Sequence, residues 1–246
     1  MNRPRVATRD EWLDARRELL AEEKELTRAQ DRLNAERRRL PMVRVDKDYR
    51  FTGPNGGVGL VELFEGRRQL LLQHFMFDPS WDQGCPSCTA MADDLSEGAL
   101  AHLASRGTTF AAVSRAPYPK LAAYRRERGW TFPWYSSHGS DFNYDFNVSL
   151  DPAVTPTVYN FRDAAAWVDA GQAWLADYVG EQPGVSTFLR EGDEVFHTYS
   201  AYGRGVEVMM QAYRLLDITA LGRQEEWEEP SDRVPEAWPA DPGFPR

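Results

Sequence analysis

Hydrophobic and polar positions change their rhythm along the chain. In residues 8–40, Trp12, Leu19, Leu26, Leu33 and Leu40 recur every seven residues in an otherwise polar stretch. That spacing lays one narrow apolar stripe along a single helix. Thr8-Arg9-Asp10-Glu11 has the form of a capping box, the Thr8 hydroxyl accepting from the Glu11 N–H while the Glu11 carboxylate reaches back. The residues three after the stripe positions are Ala15, Glu22, Ala29 and Glu36, so a second seam is half polar and too weak for a strong zipper. The expectation is a solvated helix that lays one edge on its own domain or on a partner subunit, as in a homodimer, and ends at Pro41.

Beyond Pro41 short apolar runs alternate with helical stretches. Residues 58–64 read as a strand or short helix, and 69–77 (QLLLQHFMF) as a buried central strand. A loop at 78–84 follows, then Cys85-Pro86-Ser87-Cys88 and a helix from Cys88 to about residue 105. Residues 108–114 predict a second buried strand, 117–128 a helix opened by proline, and 132–137 a third strand. Residues 185–190 and 195–199, parted by Glu191-Gly192-Asp193, predict a hairpin, and 205–216 a closing helix. Between the third strand and the hairpin lies a long insertion, 141 to about 183, with a helix expected near 163–178. The chain thus divides into a helical arm (1–41), an α/β domain (42–225) carrying the insertion, and an acidic, proline-rich tail (226–246).

Composition narrows what such a domain does. With 246 residues, 42% of them hydrophobic, the chain can bury a sizeable core. The 29 basic and 38 acidic side chains give a net charge of −9, which speaks against binding nucleic acid through its phosphates. No apolar run approaches the ~20 residues of a membrane span; Leu70-Leu71-Leu72 stops at Gln73-His74. The first residues lack the apolar centre of a secretory signal, so the expected compartment is the cytoplasm.

The two cysteines are the chemical landmark. A bridge between Cys85 and Cys88 closes too small a loop to stabilise a large domain, and no second CxxC exists to complete a four-ligand zinc site. What remains is a redox dithiol, or a site that adds histidine to the pair. The order βαβα then ββα, with CxxC between the first central strand and its helix, is the thioredoxin arrangement. There the positive end of the helix stabilises a Cys85 thiolate, Pro86 starts the helix without losing a bond, and Cys88, one turn in, serves as resolving thiol.

Five blocks carry a family resemblance: DEWLDARRELLAEEKELTRAQDRLNAERRRLP (10–41), QHFMFDPSWDQGCPSC (73–88), VSRAPYPKLAAYRRERGWTFPWYSS (113–137), GSDFNYDF (139–146) and VFHTYSAYGRG (195–205). Together they resemble a bacterial thioredoxin-like family of unknown function, predicted to be dithiol-disulfide oxidoreductases. The resemblance spans roughly residues 8–225 and implies a thioredoxin-like fold with an N-terminal helical arm and an inserted helical segment. The dithiol reading of Cys85 and Cys88, for its part, calls for a disulfide substrate, small or protein, with an external thiol reductant or oxidant as partner and no obligatory cofactor. Ordinary thioredoxins carry a cis-proline facing CxxC just before the strand that corresponds to Gly184-Val185-Ser186-Thr187-Phe188, whereas Pro183 here stands two residues early. The insertion reads as a lid, which favours a small substrate or a dedicated partner.

Several other residues are candidates. His74, in the strand leading to CxxC, faces opposite to Gln73 and Phe75 by strand alternation, with its chain end close to Cys85. It is a core histidine, or else a proton donor or ligand to the thiols; His197 in the hairpin has the same two readings. Arg115, just past the second strand, lines the crevice end of the sheet, where it lowers the Cys85 pKa, holds an anionic substrate or makes a surface ion pair. Trp81, just before the cysteines, is a candidate pocket wall. Two thiolates with His74, His197 or both would suit copper or another soft metal, a rival reading to dithiol exchange. Hydrolase signatures are missing: there is no G-x-S-x-G elbow, and Gly53–Gly59 lacks phosphate-loop spacing.

Overall fold

The apolar runs around Leu70–Leu72 and Phe110–Val113 become adjacent parallel strands at the centre of an eight-stranded sheet. The computed structural model describes residues 3–238, which form two compact units, 3–41 with 215–238 and 42–214.

In the first unit, α1 (Arg9–Arg39) is capped by Thr8 with both bonds of the capping box in place, and three arginines in its last turn oppose the negative helix end. None of its residues is buried. Ion pairs one turn apart, Asp14 with Arg17 and Glu36 with Arg39 among them, line its surface. No helix among the described residues is long and apolar enough to cross a membrane.

The second unit opens with β1 (Val43–Arg44) and a hairpin of β2 (Phe51–Gly53) and β3 (Gly56–Val58). A 3₁₀ turn at Val61–Phe64 leads to β4 (Gln69–His74). The single helix expected over 88–105 is two, α2 (Pro86–Asp93) and α3 (Glu97–Ser105). The break is chemical: the Ser96 hydroxyl accepts from the Ala99 N–H to start α3, and the Asp94 carboxylate turns away to accept from the Ala212 N–H at 2.7 Å. Next come β5 (Thr108–Ser114), α4 (Tyr118–Arg128) and β6 (Trp134–Ser136). The insertion holds α5 (Phe142–Asp145), β7 (Ser149–Leu150), β8 (Val158–Tyr159), β9 (Arg162–Asp163), α6 (Ala164–Asp169) and β10 (Gly180–Glu181). Its helix is far shorter than expected, because Gly171 takes φ 74° just past the end of α6 and only a 3₁₀ turn follows. The domain ends with the hairpin β11 (Gly184–Glu191) and β12 (Glu194–Tyr202), a 3₁₀ segment at Gly203–Met209 and α7 (Gln211–Leu216). The expected closing helix is split where Met210 is extended.

Strand order is β1-β12-β11-β4-β5-β6-β2-β3, with β4, β5 and β6 parallel and β11 and β12 antiparallel to their neighbours. The segment β12-β11-β4-β5, with α2 following β4, is the thioredoxin fold. Strand alternation gives the sheet two faces. Leu70, Leu72, Val113 and Phe188 point to one, where insertion residues Phe142, Phe146, Val148, Tyr159, Trp167 and Leu175 cover them. The insertion is thus a core layer as well as a cover. The opposite face carries Phe75, Phe110 and Ala112 against Cys88, Leu121 and Trp134. Beyond them Val185 packs with Met91, Met210 and Tyr213.

Candidate active site at the start of α2

The β4 strand ends at its C-terminal edge, where open α/β sheets place ligands. One backbone unit there holds both cysteines: the Met76 C=O accepts from Cys85 N–H at 3.0 Å, and the Met76 N–H donates to the Cys88 sulfur at 3.5 Å. The intervening loop is pinned by Asp78, which accepts from the Ser80 N–H and hydroxyl, and by Lys120, which donates to the Pro79 and Trp81 carbonyls. Gly84 passes against the Phe75 ring so closely that a Cβ would lie 2.5 Å from Cε1.

Cys85 is the N-cap of α2, with Pro86 in the first turn where no N–H is needed. Cys85 is half-buried, Cys88 is buried, and no disulfide joins them. The Cys85 thiol is pulled down to about 6, first by a hydrogen bond from the Cys88 thiol. The Ser87 hydroxyl at 3.1 Å and the Ser87 and Cys88 N–H groups add to this against the opposing effect of burial, although no N–H makes a full capping bond. The base of α2 is tied down by Thr89, which donates to the Cys85 carbonyl at 2.9 Å, and by the buried Gln73, whose amide donates to the Cys88 carbonyl at 3.4 Å. Trp81 is half-buried against the same aromatic cluster as Cys85.

Arg115 faces elsewhere. The groups that lower the Cys85 thiol lie in the first turn of α2. Arg115 instead bonds the buried Glu181 carboxylate at 2.9 Å, stands 3.9 Å from Asp78, and lies over the Tyr144 ring. Glu181 also accepts from the Ser149 hydroxyl at 2.9 Å and the Asn143 amide at 3.3 Å. Burial pushes its carboxyl above the usual range despite these partners. Arg115 therefore clamps the insertion onto the loop that precedes Cys85. Nothing in the sequence marks Glu181: it is one acid in the two-residue strand β10, and only folding supplies its partners.

His74 and His197 do not join the thiols. His74 points to the opposite sheet face from Phe75, stacking on Phe146 and donating to or accepting from Ser186 Oγ at 2.8 Å. Ser186 Oγ meets Ser200 Oγ at 2.8 Å, and Ser200 Oγ meets His197 Nε2 at 2.8 Å. His74 Nδ1 is buried with no partner. Burial holds His74 down at about 3 and also lowers His197. The donor set Cys85, Cys88, His74 and His197 is thus split across the sheet, which corrects the copper reading. Among the described residues no three His, Cys, Asp or Glu side chains converge as a metal site requires. The exposed His138 ring meets the Arg115 carbonyl at 3.2 Å.

Among solved structures the chain is similar to Xanthomonas campestris peroxiredoxin Q, with 14% identity, 70% of this chain and 90% of that chain covered, and a TM-score of 0.43. It is likewise similar to Mycobacterium tuberculosis peroxidoxin BcpB, with 14% identity, 72% and 97% covered, and a TM-score of 0.40. The corresponding values for reduced Plasmodium vivax 2-Cys peroxiredoxin are 14%, 70%, 90% and 0.40. No curated protein matches the sequence. A family model described as a bacterial protein of unknown function matches residues 1–239, and the chain belongs to that family, DUF899.

Proposed function

We propose that the protein is a dithiol-disulfide oxidoreductase of the cytoplasm. The observation that carries this reading is the unbridged pair at the start of α2, with Cys85 half-buried at the N-cap and Cys88 buried behind it. The Cys85 thiolate attacks one sulfur of a substrate disulfide; that S–S bond breaks, and the departing thiolate takes up a proton. Cys88, its sulfur held by the Met76 N–H, then loses its proton and attacks Cys85 in the mixed disulfide. The Cys85–Cys88 bond forms, the second substrate thiol leaves, and two electrons have passed from protein to substrate. An external thiol reductant returns the pair to the dithiol. The ingredients need no metal and no organic cofactor. The insertion, clamped beside the entry loop by Arg115 and Glu181, favours a small disulfide or one dedicated partner over general exchange.

Trapping tests the reading. Treated with hydroxyethyl disulfide, Cys88→Ser should accumulate a mixed disulfide at Cys85, and the unaltered protein should pass through it to a Cys85–Cys88 bond, both seen by mass spectrometry. Absence of that internal bond, or adduct formation at Cys88 in Cys85→Ser at the same rate, sinks the proposal.

A further inference from the structure

The 31-residue helix α1 buries none of its residues. Helices in water owe most of their stability to an apolar face packed on something else. Here the face exists and stands open: Trp12, Leu19, Leu26, Leu33 and Leu40 are all between 47% and 69% exposed. At about 1.5 Å per residue, the stripe runs for about 42 Å. A row of exposed apolar side chains of that length, one every seven residues on a polar helix, has the shape of a helix-pairing surface.

Charge says what pairs with it. On the N-terminal side of Leu26, residues 9–25 carry four basic and seven acidic side chains, a net of −3. On the other side, residues 27–39 carry five basic and two acidic side chains, a net of +3. The helix is thus complementary to itself when reversed, and self-repelling when two copies run in the same direction. The seven-residue spacing fits the same geometry. With a two-fold axis at Leu26, Leu19 lies level with Leu33 of the partner subunit and Trp12 with Leu40 of the partner subunit.

We infer that α1 is a homodimerisation element that pairs antiparallel with α1 of a second copy of this chain, centred on Leu26. The polar residues three after each stripe position make the seam narrow, so the contact depends on the opposed charged halves as well as on the leucines. Strong salt shortens the reach of those charges to about 3 Å at 1 M, and the dimer accordingly weakens as salt rises.

Sedimentation equilibrium on the intact, reduced protein at low salt should give roughly twice the 28.1 kDa chain mass. Leu26→Glu sets two carboxylates against each other on the axis and should return the single-chain mass with an unchanged circular-dichroism spectrum, because Leu26 is exposed and supports no core. Orientation is read in a Cys85→Ser, Cys88→Ser background. There Leu26→Cys should cross-link to itself, and Leu19→Cys should cross-link to Leu33→Cys in a mixture in preference to itself. A single-chain mass for the intact protein, or a dimer that survives Leu26→Glu, overturns the proposal. So does preferential self-linking of Leu19→Cys, which reports a parallel pair.

Discussion

His74 and His197 are joined through the Ser186 and Ser200 hydroxyls by three successive 2.8 Å hydrogen bonds. One end of the chain is fully buried beside Phe142 and Phe146, and the other is half-buried on β12. Because burial holds His74 near 3 while an unfolded histidine titrates near 6.5, the unfolded chain binds the extra proton between those values. Stability therefore rises with pH across that window and is lost as pH falls from about 6.5 toward 3, by about 5 kcal/mol for the full shift. Urea unfolding at pH 7 and pH 4 measures it. His74→Gln should flatten most of the slope while costing roughly 1–3 kcal/mol at neutral pH through lost packing. A slope that survives the substitution assigns the effect to another group.

The low Cys85 thiol depends first on Cys88. Iodoacetamide labelling of Cys85 should rise with a midpoint near pH 6 in the intact protein. In Cys88→Ala the midpoint should move up by at least about one unit, and in Ser87→Ala by less. Coincident profiles for the three proteins contradict this ordering. Since the folded thiol titrates below its unfolded counterpart, the reduced protein gains stability as pH rises from about 6 toward the ordinary thiol range and loses it as pH falls through 6.

Arg115 is the counter-charge of a carboxylate that is 1% exposed. Arg115→Met leaves Glu181 buried without it, a change that typically costs about 3–5 kcal/mol. Adding Glu181→Gln should recover most of the loss, since the Ser149 and Asn143 partners remain. A double-mutant cycle by denaturant unfolding gives the coupling directly. Additive effects in the cycle rule out the clamp.

Gly84 has room for no side chain on the Phe75 side. Gly84→Ala must displace either a buried ring or the loop that delivers Cys85, and overpacking of this kind costs about 1–3 kcal/mol. Phe75→Leu in the same chain opens the space and should restore the labelling rate of Cys85, though not full stability. Unaltered stability and labelling in Gly84→Ala would show that the loop yields freely.

The central strands were legible because burial on both faces leaves unbroken apolar runs, as at Thr108–Ser114. Alternation also placed His74 opposite Gln73 and Phe75, as observed, yet that same alternation carries it away from the thiols, which share the Phe75 face. The helix break at Ser96 was written in the sequence as a serine three residues before Ala99, but a cap shows itself only once the chain turns there. The insertion reads as a lid in sequence because its apolar residues, Phe142, Val148, Tyr159 and Trp167, are scattered without period. They make a core layer only by converging on one sheet face. The reach of the dithiol itself needed little folding to be seen, since CxxC after a buried strand specifies a helix start.

One irregularity in the hairpin governs more than its own neighbourhood. Thr187 pairs with Tyr199 but Phe188 pairs with His197, so Thr198 is an extra residue in β12, its hydroxyl donating to the Thr187 carbonyl at 2.9 Å. His197 and Ser200 stand an odd number of positions apart, and in a regular strand one of them would look away. The extra residue converts odd to even. Which side chains look inward here is therefore decided by the length of the strand and not by the identity of the residue at 198. Exchange of Thr198 for another side chain keeps the count. Removal of that one residue reverses the facing of everything on one side of it, turning either the histidine or the serine outward, so that the relay from His74 stops short of His197.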